Sequence, residues 1–212
     1  MLTIWGRLNS INVRKVVWAA QEVGVAFERV DAGMAFGIVN TPAYRALNPN
    51  GLIPVIDDGG FVLWESNAIV RYLLARYAPG RLYPDDLQQR FDAERWMDWQ
   101  QTTFNRAGAP AFAQWIRTPP ERRDMGVIAA SRAATEPLLK QLDAHLAALA
   151  ASGSAQPHMA GAAFGMADIA IGCEISRWWG LPQARPDVPH LQAWYERMLA
   201  RPAATVLSME LS

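Results

Sequence analysis

The sequence holds a single cysteine, Cys173, in 212 residues. A lone thiol cannot close an internal disulfide, so no disulfide framework supports the fold. Histidine is scarce too: His145, His158 and His190 stand far apart, with no ligand spacing for zinc, and no metal is expected. Charge of one sign is also missing, because 20 Lys and Arg balance 20 Asp and Glu. Without excess cations the sequence-independent attraction to phosphate backbones is absent, which sets nucleic acid aside as a partner. No run of 18 apolar residues occurs, and the opening MLTIWGRLNS lacks a basic start followed by an apolar core. Neither a membrane span nor a secretion signal is expected, and a soluble cytoplasmic protein is the default. The sequence contains no GxGxxG, P-loop or HExxH pattern, and Gly33 and Gly37 do not form a phosphate loop.

What is present is a core. Hydrophobic residues make up 51% of the chain and charged residues 19%. A chain of this size buries roughly 70% of its unfolded surface, which excludes disorder for most of it. The length admits one large or two small domains.

The first third mixes short β-like runs (LTIW, AFERV, PVI, FVLW) with helical periodicity. Val13, Val16, Val17 and Ala20 follow i, i+3, i+4, i+7 spacing over residues 11–23, and Gly24 sits where a left-handed C-cap belongs. Ile69, Tyr72, Leu73 and Tyr77 repeat the pattern over residues 66–77 until Pro79-Gly80 stops it. Asp57-Asp58-Gly59-Gly60 between PVI and FVLW predicts a hairpin, so those two strands should be antiparallel.

Beyond Gly80 the texture changes. Arg81–Asp86 reads as a linker, and the rest is rich in Ala, Leu, Gln and Arg at helical spacing. The expectation is an α/β domain over residues 1–80 and an all-α domain over 87–212, with the boundary near 79–86. Helices are expected at Leu87–Trp115, Glu121–Ala151, Met166–Trp179 and Pro189–Ala200, separated by Pro-, Gly- and Ser-containing breaks.

Three segments of the first domain could carry chemistry. Ser10, after the opening strand, is a good N-cap for the helix that follows. The same geometry can stabilise an anion, because hydroxyl and amide side chains at Ser10 and Asn12 meet free N–H groups and the positive end of the helix dipole. A thiolate is such an anion. In Pro49-Asn50-Gly51-Leu52-Ile53-Pro54-Val55, an Ile-Pro bond leads into a strand. It reads either as an ordinary trans proline or as a cis bond that frees the Ile53 backbone to pair with an extended peptide. Third, Ser66 reads as an N-cap preceded by a dipole-compatible Glu65; together they would also suit the carboxylate and ammonium of an α-amino acid head group.

These segments, SxNxxKV, NPNGxIPV and xxLWESNAI, together with WMDW and AxFGMADIAIG further on, resemble the cytosolic glutathione transferases, specifically the bacterial theta-like or nu-like branches. The resemblance spans essentially the whole chain. It implies a thioredoxin-like N-terminal domain, an all-helical C-terminal bundle, glutathione as co-substrate and a homodimer. By the same resemblance Ser10 would activate the glutathione thiol, or Asn12 would lie near the sulfur. Ile53 and Pro54 would hold the cysteinyl part, and Glu65 and Ser66 the γ-glutamyl head group. Leu52 stands where several relatives carry Lys or Arg, so the glycyl end is assigned to Asn40 or a loop around Phe36. Leu8 and Asn9 would face Phe104 and Trp115 across a pocket for an apolar electrophile.

Other residues read as structure. Trp96, Trp99, Trp178 and Trp179 have core-like spacing and suit packing or dimer burial. Cys173 reads as core filling. Asp168 reads as a folding residue that has lost its reciprocal cap, since Gly165 stands where Ser or Thr is usual; Glu121–Asp124 reads as a solvated helix start. The expected function is a detoxifying glutathione transferase. A glutathione-dependent disulfide reductase and a non-catalytic binding or interaction protein on the same scaffold are the alternatives.

Overall fold

The computed structural model describes residues 1–211. Four strands form one sheet in the order β2-β1-β3-β4. β1 (Leu2–Trp5) runs parallel to β2 (Phe27–Val30) and antiparallel to β3 (Val55–Asp58), which pairs antiparallel with β4 (Phe61–Trp64). A parallel pair needs a crossover, and α1 (Ile11–Val23) supplies it before Gly24 ends the helix in the left-handed conformation. The β3–β4 hairpin needs only Gly59 and Gly60, whose φ values of 65° and 97° side chains rarely adopt. Asp57 Oδ1 accepts the Gly60 N–H at 2.6 Å and closes that turn. α3 (Ser66–Tyr77) packs beside α1, giving the thioredoxin-like arrangement that the motifs imply. A short helix, α2 (Pro42–Leu47), was not expected: six residues are too few to show a period, though Thr41 caps it by accepting the Tyr44 N–H.

From α4 (Leu87–Trp99) onward the described chain is helical: α5 (Asn105–Phe112), α6 (Met125–Ala151), α7 (Met166–Trp179) and α8 (Pro189–Leu199). The single helix expected over Leu87–Trp115 is a continuous rod to Arg117, widened into π-helical turns at Gln100–Phe104 and Ala113–Arg117. The helix expected from Glu121 begins later. Pro119 and Pro120 start a separate 3₁₀ turn, and Asp124 caps α6 by accepting the N–H groups of Gly126 and Val127.

α7 is buried at every position, so it forms the centre of the helical half. It also carries the contact with the sheet half. Trp18 of α1 is fully buried and lies against Gly172, where a Cβ would come within 2.8 Å of the indole. Only a residue without a side chain lets the helices approach that closely. α1 is consequently covered on both sides, by the sheet and α3 and by α7, and its residues Val13–Ala20 are all buried. Among the described residues no helix is long and apolar enough to cross a membrane.

Candidate active site

The strand register gathers the three chemistry-bearing segments. Trp5 is paired with Val55, Val55 with Trp64, and Trp5 with Val30 on its other side. β1, β2 and β4 therefore end, and β3 begins, at one edge of the sheet. Residues 6–12, 31–40, 53–54 and 65–66 all lie at that edge, where ligands of open α/β sheets bind. The Ile53-Pro54 bond is cis, and both residues precede β3, outside the ladder.

Ser10 occupies the N-cap of α1 in extended conformation. Its carbonyl accepts the N–H groups of Val13 and Arg14 at 3.0 and 2.9 Å, but its hydroxyl makes no cap hydrogen bond. The side chain thus leaves unused the role its position offers, at the positive end of a 13-residue helix. Asn12 is also uncommitted, because its Oδ1 is buried without a partner. A hydroxyl and an amide stand ready at one helix terminus for an incoming group.

At α3 the structure shifts the expected cap by one residue. Glu65, not Ser66, is the N-cap, and it holds φ at 76°. A left-handed backbone at a non-glycine residue costs on the order of 1–3 kcal/mol and is typical of functional sites. Glu65 is exposed and makes no cap bond, whereas Ser66 is buried as the first helical residue. The next residue, Asn67, is anchored below: its Nδ2 donates to the Met97 carbonyl at 2.7 Å, and its Oδ1 accepts from Lys15 at 3.2 Å.

Lys15 is a residue of this site that the sequence reading did not single out. Its ammonium is fully buried and donates to Gln100 Oε1 at 2.6 Å and Gln101 Oε1 at 3.2 Å, both on the first π-helical turn. Burial lowers the Lys15 pKa to about 8, opposed by nearby Glu174 and Cys173. Gln100 donates onward to Glu174 at 2.7 Å, and Glu174 is paired with Arg177. The available signal was a pair of adjacent cations, Arg14 and Lys15, followed by the apolar run 16–20 of α1. Arg7 was missed as well. Its side chain is buried, and the Arg7 Nε has no hydrogen-bond partner among the described residues.

The remaining expected residues are dispersed. Asn40 is exposed on the segment after β2, with its Oδ1 accepting from Arg45 at 2.8 Å and its amide nitrogen left over. Leu8 and Asn9 line a cavity of about 270 Å³ that also includes Arg7 and Phe36. Phe104 is a correction: it is fully buried against Trp99 at 5.5 Å between ring centroids, so it has no surface to offer a ligand. Trp115 is half-buried, donating to Gln183 at 3.2 Å beneath the Arg123 guanidinium, within the helical half.

Cys173 is buried in α7, and burial pushes its thiol up to about 12, far from a reactive thiolate. Asp168, without a reciprocal side-chain partner at Gly165, is nonetheless well engaged. It accepts from the N–H groups of Gly165 and Met159 at 3.0 Å each and from the Trp194 indole at 2.8 Å. Among the described residues no group of His, Cys, Asp and Glu is placed to hold a metal ion.

Comparison with known proteins bears on this geometry. Residues 1–75 match the family model for the glutathione S-transferase N-terminal domain, and residues 132–197 that for the C-terminal domain. The chain is 40% identical over 211 residues to glutathione S-transferase GstB of Escherichia coli, covering 99% of this chain and 98% of that one. It is 32% identical over 212 residues to glutathione S-transferase 3 of Zea mays, covering 95% and 90%. Among solved structures, a theta class glutathione S-transferase from Xanthomonas axonopodis pv. citri with glutathione bound matches at TM-score 0.93 and 48% identity, covering 100% of this chain and 99% of that one.

Proposed function

Because this chain belongs to the glutathione S-transferase family, we propose that it lays glutathione along the sheet edge where residues 6–12, 53–54 and 65–66 converge and ionises the thiol at the start of α1. The observation that carries the reading is the Ser10 hydroxyl, which sits at a helix N-cap and makes no cap bond. A free thiol of pKa ~8.5 is only about 3% ionised at pH 7; lowering it by ~2 units, about 2.7 kcal/mol of differential stabilisation, raises that to roughly 75%. One hydroxyl donor plus the helix terminus is of this size.

In this arrangement the Ile53 peptide pairs with the cysteinyl backbone of glutathione. The γ-glutamyl carboxylate meets the Ser66 hydroxyl and first-turn N–H groups, Glu65 takes the ammonium, and the Asn40 amide reaches the glycyl end. The thiolate then attacks an electrophile admitted beside Leu8 and Asn9. Proximity in the cleft supplies much of the remaining acceleration. The enzyme works as a homodimer, for which exposed Phe61, Leu87 and Phe91 on β4 and α4 offer apolar surface. It acts in the cytoplasm, where reducing conditions preserve a thiol co-substrate.

The test is a glutathione titration followed by thiolate absorbance in wild type, Ser10→Ala and Asn12→Ala, with chloronitrobenzene and hydroxyethyl disulfide turnover measured in parallel. A lowered thiol pKa that Ser10→Ala returns towards the free value supports serine activation. Control by Asn12, with disulfide turnover exceeding arylation, would replace it. Absence of glutathione binding would end the reading.

A further inference from the structure

Two cavities meet at the stretch of chain that follows a 3₁₀ turn at Thr205–Ser208. One, of about 270 Å³, lies at the sheet edge beside Leu8 and Asn9; the other, of about 620 Å³, lies in the helical half. Met209 and Glu210 line both, so this stretch is the wall between them. The two spaces differ in chemistry. Arg7, Arg29 and Asp31 make the small one charged, whereas Ile116, Trp179 and Leu211 give the large one apolar walls. They also differ in capacity: ligand pockets usually span about 300–1,000 Å³, a range that the small cavity does not reach and the large one does. An apolar electrophile of any size is matched to the large space, while Ser10 follows directly on the residues that line the small one.

Residues 209–211 are held at two points. Leu211 rests on the end of α7, where a Cβ built on Gly180 would lie 2.8 Å from Leu211 Cδ1. The Glu210 carbonyl accepts from Arg14 Nη2 at 2.7 Å. Arg14 is buried, its Nε donates to the Leu8 carbonyl, also at 2.7 Å, and its backbone N–H donates to the Ser10 carbonyl at 2.9 Å. One guanidinium thus ties the wall to the loop that leads into Ser10, through bonds from a charged donor, which are the stronger kind. Its capacity is not exhausted. Arg14 Nη1 is buried without a partner, so the same cation keeps donors for the wall in a second position. Met209 has extended backbone, with φ −76° and ψ 139°, and is 39% exposed, so its side chain is not committed to the core.

We propose that Arg14 latches residues 209–211 as a gate between the two cavities, and that Met209 thereby determines how large an electrophile reaches the thiol. This deepens the transferase reading and rests on it. With the latch closed, a small electrophile fits beside Leu8 and Asn9. A larger one lies across the wall, with its reactive carbon near the start of α1 and its apolar body in the helical half, and displaces Met209. Arg14 acts through the chain it holds, so it is a positioning residue, and Met209 is the specificity-determining one. For an isothiocyanate the step balances simply: the glutathione sulfur forms a bond to the central carbon, the C=N electron pair moves onto nitrogen, and nitrogen takes up a proton in place of the one the thiol released.

The experiment measures kcat/KM for methyl isothiocyanate and 2-phenylethyl isothiocyanate with wild type, Met209→Gly, Met209→Trp and Arg14→Lys. The phenylethyl-to-methyl ratio should rise about tenfold in Met209→Gly and fall about tenfold in Met209→Trp, the size of discrimination an apolar pocket supplies. Arg14→Lys, with one ammonium for two carbonyls, should also raise the ratio, through a lower KM for the larger substrate with kcat within twofold. A ratio unmoved in both Met209 variants overturns the proposal. Equal losses for both electrophiles in Arg14→Lys would make Arg14 a purely structural residue and overturn the latch. Met209 is exposed, so its variants decide the matter even if Arg14→Lys does not fold. Calorimetric Kd for glutathione, expected to stay within twofold in the Met209 variants, separates the two readings. A wild type that takes up no glutathione would overturn the transferase reading, whereas one that binds glutathione and consumes methyl isothiocyanate with an unmoved ratio would overturn the gate alone.

Discussion

Lys15 Nζ donates to Asn67 Oδ1 at 3.2 Å, joining the second turn of α1 to the first turn of α3. The helices carrying Ser10 and Ser66 are thereby fixed to each other below the sheet edge. Through Gln100 and Gln101 the same ammonium ties both to the rod of the helical half. The two helix termini proposed to share one glutathione molecule are held by a single buried cation.

Lys15→Met should therefore destabilise the protein by about 2–4 kcal/mol, because it removes a buried charge but leaves acceptor oxygens of Gln100, Gln101 and Asn67 without their donor. The pH dependence gives a sharper test. With the folded pKa at about 8, below the usual lysine value, native and unfolded chains both keep the proton under pH 8. Between about 8 and 10 the unfolded chain binds more protons, so wild-type stability rises relative to the variant. Urea unfolding of both proteins at pH 7 and pH 9.5 checks this; a gap that narrows with pH would contradict it.

Ser66→Ala should weaken glutathione binding by roughly 10–100-fold, the size of one hydrogen bond to a charged group. Thermal stability should change little, since Glu65 occupies the cap and the serine is already inside the helix. Calorimetry with glutathione, set beside the melting temperature, distinguishes this from a capping role. Under a capping role the melting temperature would fall while affinity held.

Much of this site was legible in the chain because helix starts and strand ends have local signatures. Ser10, Ile53-Pro54 and Glu65-Ser66 each sit where an N-cap residue or a proline meets an apolar run, and the register places them at one edge. The start of α3 was misread by one residue, because Ser is the better cap by type and nothing local signals that Glu65 takes a left-handed backbone. The π-helical turns were invisible since widening a helix hardly alters its periodicity. Arg7, Lys15 and Phe104 depend on what faces them across the fold, which spacing along one chain does not encode.

If the proposed homodimer forms through this face, Phe91→Arg should shift it towards monomer in sedimentation velocity at micromolar concentration. Phe91 is 59% exposed on α4, and Phe61 and Leu87 are exposed on β4 and α4. A guanidinium in an apolar interface would lose its hydration without gaining a partner. Because Phe91 is largely exposed, its substitution leaves the interior of a protomer unchanged. A dimer that survives the change unaltered places the interface elsewhere.

Asp168→Ala should be the most disruptive single change, at about 3–5 kcal/mol, without touching the reacting groups. The carboxylate is buried and joins three parts of the helical half: the Gly165 N–H at the start of α7, the Met159 N–H on the preceding loop, and the Trp194 indole of α8. Its Oδ1 also lies 3.3 Å from His158 Nδ1. Removing it strands these donors in the interior, each unmet one costing on the order of 1–3 kcal/mol. α7 also supplies Gly172, on which Trp18 of α1 rests, so loosening its start should spread to the helix that carries Ser10. The expected result is a melting temperature lower by ten degrees or more, with near-normal glutathione affinity in the fraction that remains folded. Asp168→Asn should recover only part of the loss, because an amide oxygen can replace one acceptor while its NH₂ group faces donors. A catalytic role would show the reverse: normal melting with kcat lost.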